Sequence, residues 1–255
     1  MAGVVVRLRP FVAQLWAALH ETHEEQLKIV RGESRARPRP KDGVFVRRVD
    51  HALLLLKAFF DGELGPLRRK YTLSERNAKP RFYLRGDAST SGMGDILLDA
   101  VGHPVEYWAD DIRREDLERF GAKEGDSAFM GEFELLRILV SLHVWGPKLR
   151  GMSGAFVVQA DSQAALGAAL KLASPRPLMN AIAAEISLVL ERFEIEKLTG
   201  DHYRGSINVD ADALSRLREG AEIPSSLLNT PRVGVPPRSD NFYKAWPPSW
   251  KSRPN

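Results

Sequence analysis

The segment FYLRGDASTSGMGDILL, residues 82–98, holds the pattern that decides the fold. Phe82 to Leu84 predicts a short strand, and Met93 to Leu98 predicts a second strand after a glycine-containing turn. Val105 to Trp108 predicts a third strand, which completes a three-stranded meander. Beyond it, apolar residues recur alternately at helix and strand spacing. The sequence therefore predicts an α/β fold in which helices flank a mixed five-stranded sheet.

The later elements follow from the same periodicity. The polar stretch 109–131 is expected to delay the next element. The predicted elements after it are a helix over 132–145, a strand over 155–160, helices over 162–171 and 178–192, a strand over 194–198 and a short helix over 210–218.

Composition narrows the class of protein. The 255 residues are 44% hydrophobic and 27% charged, which is typical of a globular chain. The absence of cysteine excludes disulfides, thiolate metal sites and cysteine nucleophiles. The apolar run 52–60 is interrupted by Lys57 and is too short to cross a bilayer. We expect an intracellular protein, cytoplasmic or nuclear, that is neither secreted nor membrane-bound.

Two segments of different character flank the predicted α/β domain at 81–218. Residues 1–80 are expected to be helical, with helices starting near Pro10 and Val49. Residues 219–255 are rich in proline and are expected to form a disordered tail. Trp246 and Trp250 lie among those prolines, but a docking role for them is the weaker interpretation.

A basic segment, residues 31–48, lies between the two N-terminal helices. It carries seven basic residues against two acidic ones, a local excess of 7 − 2 = +5, whereas the whole chain has a net charge of +4. One interpretation is a solvated linker, and the other is an arm that contacts phosphates through Arg35, Arg37 and Arg39.

Four acidic residues occupy places where a carboxylate is costly. Asp87 and Asp161 end predicted strands, and Glu134 lies in an otherwise apolar helix. Asp212 lies at the start of the last predicted helix. Each alone has a structural explanation, since Asp161 followed by Ser162 could cap the next helix. Two neighbours compete for the same roles, Glu132 with Glu134 and Asp210 with Asp212, and each pair lies on different faces of a helix.

The order of these acids resembles the RNase H domain of retrotransposon reverse transcriptases, most closely gypsy-like and DIRS-like elements. The matching motifs are DAS with GMG at 87–94, ELL at 134–136, DSQAAL at 161–166, HYRG at 202–205 and NVDADALSR at 208–216. The resemblance covers residues 81–217, slightly over half of the chain. Four motifs in order, with the His and Asn spacings, are more specific than any one of them.

The resemblance implies an RNase H-like sheet and a ribonuclease that cuts the RNA strand of an RNA:DNA hybrid. It selects Glu134 over Glu132 and Asp212 over Asp210. Four converging carboxylates repel one another, and two Mg²⁺ ions, with Mn²⁺ as a substitute, would supply the missing positive charge. By the resemblance, Asp87 would bridge both ions, Glu134 and Asp161 would hold the one near the leaving group, and Asp212 the one near the nucleophile.

Other residues receive roles from the same resemblance. His202 would assist proton transfer or product release. Ser89, Gly94, Gln163 and Asn208 would contact the nucleic acid, in part through 2′-hydroxyls in the minor groove.

The resemblance also raises the question of a polymerase. Trp108-Ala109-Asp110-Asp111 superficially resembles a polymerase aspartate turn, but the charged residues after it favour a surface loop. Residues 1–80 loosely resemble the connection that precedes RNase H in such elements, so the polymerase portion of the same element is an expected partner. One alternative is a catalytically silent binding module from a decayed or co-opted element. Another is a transposase or resolvase of the same broad fold class, but the ADALSR ending at 211–216 argues against it.

Overall fold

The computed structural model describes residues 80–150, 156–195, 198–239 and 242–243, with nine isolated positions before residue 62. Most of the predicted helical segment 1–80 lies outside the described residues, as do Arg35, Arg37 and Arg39. Trp246 and Trp250 lie outside them as well.

The described chain is built on one mixed sheet. Its strands are β1 (Phe82–Ala88), β2 (Gly92–Asp99), β3 (Pro104–Asp111), β4 (Phe156–Ala160) and β5 (Thr199–His202). They lie in the order β3-β2-β1-β4-β5. The first three form an antiparallel meander, and β4 runs parallel to both β1 and β5. The predicted α/β fold class, a mixed five-stranded sheet flanked by helices, is confirmed.

Five complete helices accompany the sheet in the part of the chain that the structure describes. They are α1 (Arg114–Phe120), α2 (Met130–Leu149), α3 (Gln163–Lys171), α4 (Pro177–Arg192) and α5 (Val209–Ser215). Short 3-10 turns at Ser127–Phe129, Gly205–Ile207, Leu217–Glu219 and Ser225–Leu227 complete the described elements. Ser162 caps α3, since its side chain accepts from the backbone of Ala165. None of the helices in the described ranges has the length and apolarity needed to cross a bilayer.

The alternation of strand residues divides the sheet into two faces. Leu84, Leu97 and Trp108 point into the main core, which they share with residues of α2, α3 and α4. Ile96 and Tyr107 point to the opposite face, where they pack with Leu214 of α5. The sheet therefore lies between a large helical layer and the short helix α5, which covers part of the second face.

Two predicted elements differ from the structure. The stretch around Asp110 is the end of β3 and not a surface loop, because Asp110 pairs with Arg113 at 2.8 Å and so carries its charge at the edge of the sheet. The predicted strand at 194–198 is misplaced, and the strand is Thr199–His202. The backbone of Phe193, Glu194 and Ile195 is used to close the end of α4, so it is not available to the sheet.

The chain after α5 also differs from expectation. Over its described part, residues 219–239 and 242–243, the predicted disordered tail instead packs on the domain, and residues 231–233 form a strap across the edge strand β3. The backbone N–H of Tyr107 donates to the carbonyl of Pro231 at 3.0 Å, and the carbonyl of Tyr107 accepts from Val233 at 2.8 Å. Farther along, the guanidinium of Arg238 binds the buried carboxylate of Asp116. The open edge of β3 supplies backbone partners that composition alone does not reveal.

Candidate active site

Three acidic side chains meet at one end of the sheet. Asp87 lies in β1, Asp161 directly follows β4, and Glu134 lies in the second turn of α2. One carboxylate oxygen of each lies within 4.8 Å of the others. The parallel pairing brings them together, because Arg85 of β1 faces Gln159 of β4, and the two aspartates follow two residues later on each strand.

The structure separates the two competing glutamates. Oε1 of Glu134 accepts a hydrogen bond from the backbone of Ala88 at 3.0 Å, next to Asp87. Glu132 is buried elsewhere and pairs with Arg176 at 3.1 Å. The carboxylate that reaches the cluster is therefore that of Glu134.

Burial makes Glu134 and Asp87 costly to ionise. It raises the pKa of Glu134 to about 8, against the attraction of Arg137 and with the repulsion of Asp87 added. Burial also raises the pKa of Asp87, and the negative charge of Asp161 adds to that rise, while a hydrogen bond from Ser215 opposes it. The cluster lacks positive charge in proportion to its acids, which is the electrostatic condition that a divalent cation would relieve.

A buried arginine lies behind the acids. Arg137 and Asp95 are both fully buried, and Nη1 of the arginine lies 2.8 Å from Oδ2 of the aspartate. Its other terminal nitrogen, Nη2, lies 3.6 Å from Oε2 of Glu134. The hydroxyl of Ser141 donates to Asp95 at 2.6 Å and accepts from the indole of Trp108 at 3.2 Å. Sequence reasoning missed this pair, although an aspartate and an arginine at inward positions of β2 and α2 are a signal of buried charge.

Asp212 lies near the cluster but is engaged differently. Its half-exposed carboxylate pairs with Nε of Arg216 at 2.8 Å, and it is not part of the group of three acids among the described residues. The hydroxyl of Ser215 connects the two regions, since it lies 3.0 Å from Oδ2 of Asp87 and 2.9 Å from the carbonyl of Asp212. The competing Asp210 accepts from the hydroxyl of Ser226 at 2.8 Å.

His202 lies at the margin of the cluster. It ends β5, it is exposed, and its Nε2 lies 3.0 Å from the backbone carbonyl of Asp161. The loop that follows passes close to the same aspartate, because a Cβ at Gly205 would lie 2.9 Å from Oδ2 of Asp161. This close approach explains why residue 205, three residues after His202, is a glycine.

Most of the predicted nucleic-acid contacts in the domain are buried. Ser89 donates to the carbonyl of Ser215 at 2.8 Å, and the amide of Asn208 donates to the carbonyl of Gly86 at 3.2 Å. Gly94 packs under α5, where a Cβ would lie 2.4 Å from that of Leu214. In this structure these three residues support the site from within. Gln163 is exposed at the start of α3.

Known proteins similar to this chain are found among solved structures. No family model and no curated protein matches the sequence. Among solved structures, the chain is similar to RNase H1 from the halophilic archaeon Halobacterium salinarum NRC-1, with a TM-score of 0.40 and 18% identity. The alignment covers 55% of this chain and 97% of that one.

Proposed function

We propose that this protein is a metal-dependent ribonuclease that hydrolyses the RNA strand of RNA:DNA hybrids and that comes from a retrotransposon polyprotein. The observation that carries the proposal is the approach of Asp87, Glu134 and Asp161 to within 4.8 Å at the end of β1 and β4. The order of the sequence motifs supplies the substrate class and the polymerase portion of the same element as a partner.

The acids fit a divalent cation. Oε2 of Glu134 is buried and accepts no hydrogen bond among the described residues, although Nη2 of Arg137 lies 3.6 Å away, so this oxygen can still bind a cation. All three donors are carboxylates, which suit Mg²⁺, with Mn²⁺ as a substitute. Asp87, Glu134 and Asp161 would hold one ion, and Asp212 would help to hold a second. When bound, such ions activate the attacking water and stabilise the departing 3′ oxygen.

The chain's own residues prepare the acids for this role. The backbone N–H of Ala88 and the hydroxyl of Ser215 fix the orientations of Glu134 and Asp87. Arg137 holds a permanent positive charge behind them, and its ion pair with Asp95 fixes its position. His202 is exposed beside Asp161, where its imidazole would exchange protons between the site and solvent.

One observation favours the silent binding module as a second candidate. The ion pair between Asp212 and Arg216 occupies the acid that would complete the four-carboxylate set. Under this alternative, the fold binds nucleic acid and the fourth acid serves structure alone.

A cleavage assay separates the two candidates. Hybrid with labelled RNA is incubated with the full chain in Mg²⁺, in Mn²⁺ and in EDTA, with Asp87→Asn and Glu134→Gln as site variants and Glu132→Gln as the matched control. The nuclease predicts metal-dependent cutting of RNA alone, lost in both site variants and kept in the control. Binding of hybrid without cutting would support the silent module, and a chain that neither binds nor cuts hybrid would overturn both.

A further inference from the structure

We propose that Arg85 binds a backbone phosphate of the cut strand, next to the phosphodiester that is hydrolysed. This inference rests on the proposed function and adds a substrate-binding residue to it. It derives from how the guanidinium is held and from which of its donors remain open.

Two side chains hold the guanidinium of Arg85. Its Nε donates to Oε1 of Gln159 at 2.9 Å, and its central carbon lies 4.1 Å from the centre of the Tyr203 ring. Gln159 is buried and the other two are half-buried, so β1, β4 and the loop after β5 together fix the group. An arginine immobilised in this way loses little further freedom when it binds a ligand.

The outer edge of this guanidinium is unused. Among the described residues, the two terminal nitrogens of Arg85 make no hydrogen bond and no ion pair. Arg113, Arg216 and Arg238 differ from Arg85, because each of them binds a carboxylate. A fixed fork of open N–H donors is the geometry that binds the oxygens of a phosphate in pairs.

The position of Arg85 identifies which phosphate this would be. Arg85 and Gln159 face each other across β1 and β4, and Asp87 and Asp161 follow on the same face two residues later. Two residues along a strand span about 6.6 Å. The single cation Arg85 therefore lies beside the row of acids, at a separation comparable to that between successive phosphates of one strand. A strand placed with one phosphate at the acids would bring its neighbour to Arg85.

The surroundings of Arg85 also contain an opposing charge. Asp201 of β5 faces Gln159 on the far side from Arg85, and it is exposed. No ion pair joins it to Arg85 in the described part of the chain. Its charge would weaken the binding of a polyanion, so Asp201→Asn should bind hybrid more tightly than the parent.

The test measures binding and cleavage in the full chain. The affinity for hybrid is measured as a function of salt concentration in proteins that also carry Asp87→Asn. KM and kcat are measured in proteins that keep Asp87. Arg85→Gln should lower the slope of log K against log salt by about 0.9, the value for one phosphate contact on a duplex. It should raise KM several-fold with a smaller change in kcat. Arg85→Lys keeps the charge but not the fork of N–H donors. It should therefore have the salt slope of the parent, with a KM between those of the parent and Arg85→Gln.

The matched control is Arg150→Gln. Arg150 pairs with Glu194 at the far end of α2, about 24 Å from Glu134 along the helix axis, and should change neither quantity. Equal salt slopes and equal KM for Arg85→Gln and Arg150→Gln would overturn the role of Arg85 while leaving the nuclease intact. A parent chain that binds hybrid without cutting it would overturn the nuclease while the salt slope still tests Arg85. Loss of all hybrid binding in the parent would overturn both.

Discussion

The hydroxyl of Ser215 donates to Oδ2 of Asp87 at 3.0 Å, although the two residues are 128 positions apart. The same hydroxyl lies 2.9 Å from the carbonyl of Asp212, and the carbonyl of Ser215 accepts from Ser89. The last helix is thus attached to the first strand at the acid that lies at the centre of the site. This link is the first place where the proposed chemistry can be perturbed without removing an acid.

Ser215→Ala should shift the acidic limb of the cleavage profile to higher pH. The hydrogen bond from Ser215 lowers the pKa of Asp87, so its loss lets burial raise that pKa further, and the ionised acid then forms only at higher pH. The free energy of unfolding should fall by about 1 kcal/mol. A pH–rate profile and a urea titration measure the two effects. Ser226→Ala, which removes an exposed hydroxyl bound to Asp210, should leave the profile in place.

Binding of Mg²⁺ at pH 7 should release about one proton per chain. Because the pKa of Glu134 is raised to about 8, its carboxyl is mostly protonated at pH 7 without metal and must ionise to become a ligand. Calorimetric titrations in buffers of different ionisation enthalpy count the protons. Glu134→Gln should remove the release and Glu132→Gln should keep it. Equal release in parent and Glu134→Gln would assign the proton to another group.

Arg137→Met should destabilise the fold strongly, by about 3–5 kcal/mol, because it leaves Asp95 charged and buried without its partner. The double variant Asp95→Leu with Arg137→Met should recover most of that loss, since it replaces the ion pair with apolar groups. Urea unfolding of the two single variants and the double variant gives the free energies needed for a double-mutant cycle. Simple addition of the two single effects would show that the residues are not coupled.

Arg216→Gln should strengthen metal binding several-fold if Asp212 is a ligand. The arginine holds Oδ1 of Asp212 at 2.8 Å, and its removal frees that carboxylate. Metal affinity is measured by calorimetry and cleavage by the labelled-hybrid assay. Arg218→Gln breaks an exposed pair with Glu124 and serves as the control. Unchanged affinity in Arg216→Gln would exclude Asp212 from the metal site and favour the silent binding module.

His143 should make the protein less stable in acid. Its ring stacks on Phe242 at 4.3 Å, and burial, together with the charges of Arg192 and Arg238, lowers its pKa to about 4. Between pH 6.5 and 4 the unfolded chain therefore binds a proton that the folded chain does not, so this contribution to stability is present above pH 6.5 and is lost as pH falls. The loss should be about 1–3 kcal/mol at pH 4.5.

Thermal and urea unfolding at several pH values measure the effect of His143. His143→Phe keeps an aromatic ring against Phe242. Its free energy of unfolding should therefore depend less on pH between pH 6.5 and 4.5 than that of the parent. His103→Gln changes an exposed histidine beside Asp99 and should leave it unchanged. A parent and a His143→Phe variant with the same slope would assign the acid sensitivity to other groups.

The acids at strand ends were the part of the site that the sequence predicts best. Asp87 and Asp161 each close an apolar strand, and parallel pairing then brings them to the same end of the sheet. Glu134 was harder, since helical spacing alone leaves Glu132 as a competitor and only the packed helix separates them. The state of Asp212 was missed, although Arg216 follows it at the four-residue spacing at which opposite charges pair on a helix.

Other features depend on contacts that local patterns do not encode. The pair between Asp95 and Arg137 joins positions 42 residues apart and exists only because α2 packs on β2. The chain after α5 is rich in proline, which indicates little local structure, yet tertiary contacts at Leu227 and Arg238 fix its position. Composition indicates the conformational preference of a segment taken alone. It does not indicate the surface on which that segment packs in the folded protein.

The strap at residues 231–233 also determines how the protein can associate with itself. Its backbone occupies both hydrogen-bonding groups of Tyr107 on the outer side of β3. A fragment that stopped at residue 218 would leave this strand as a free edge, and free edges recruit strands from other molecules. Such a fragment would tend to form intermolecular sheets and precipitate at concentrations where the longer chain stays dispersed. The strap therefore protects β3 from edge-to-edge aggregation.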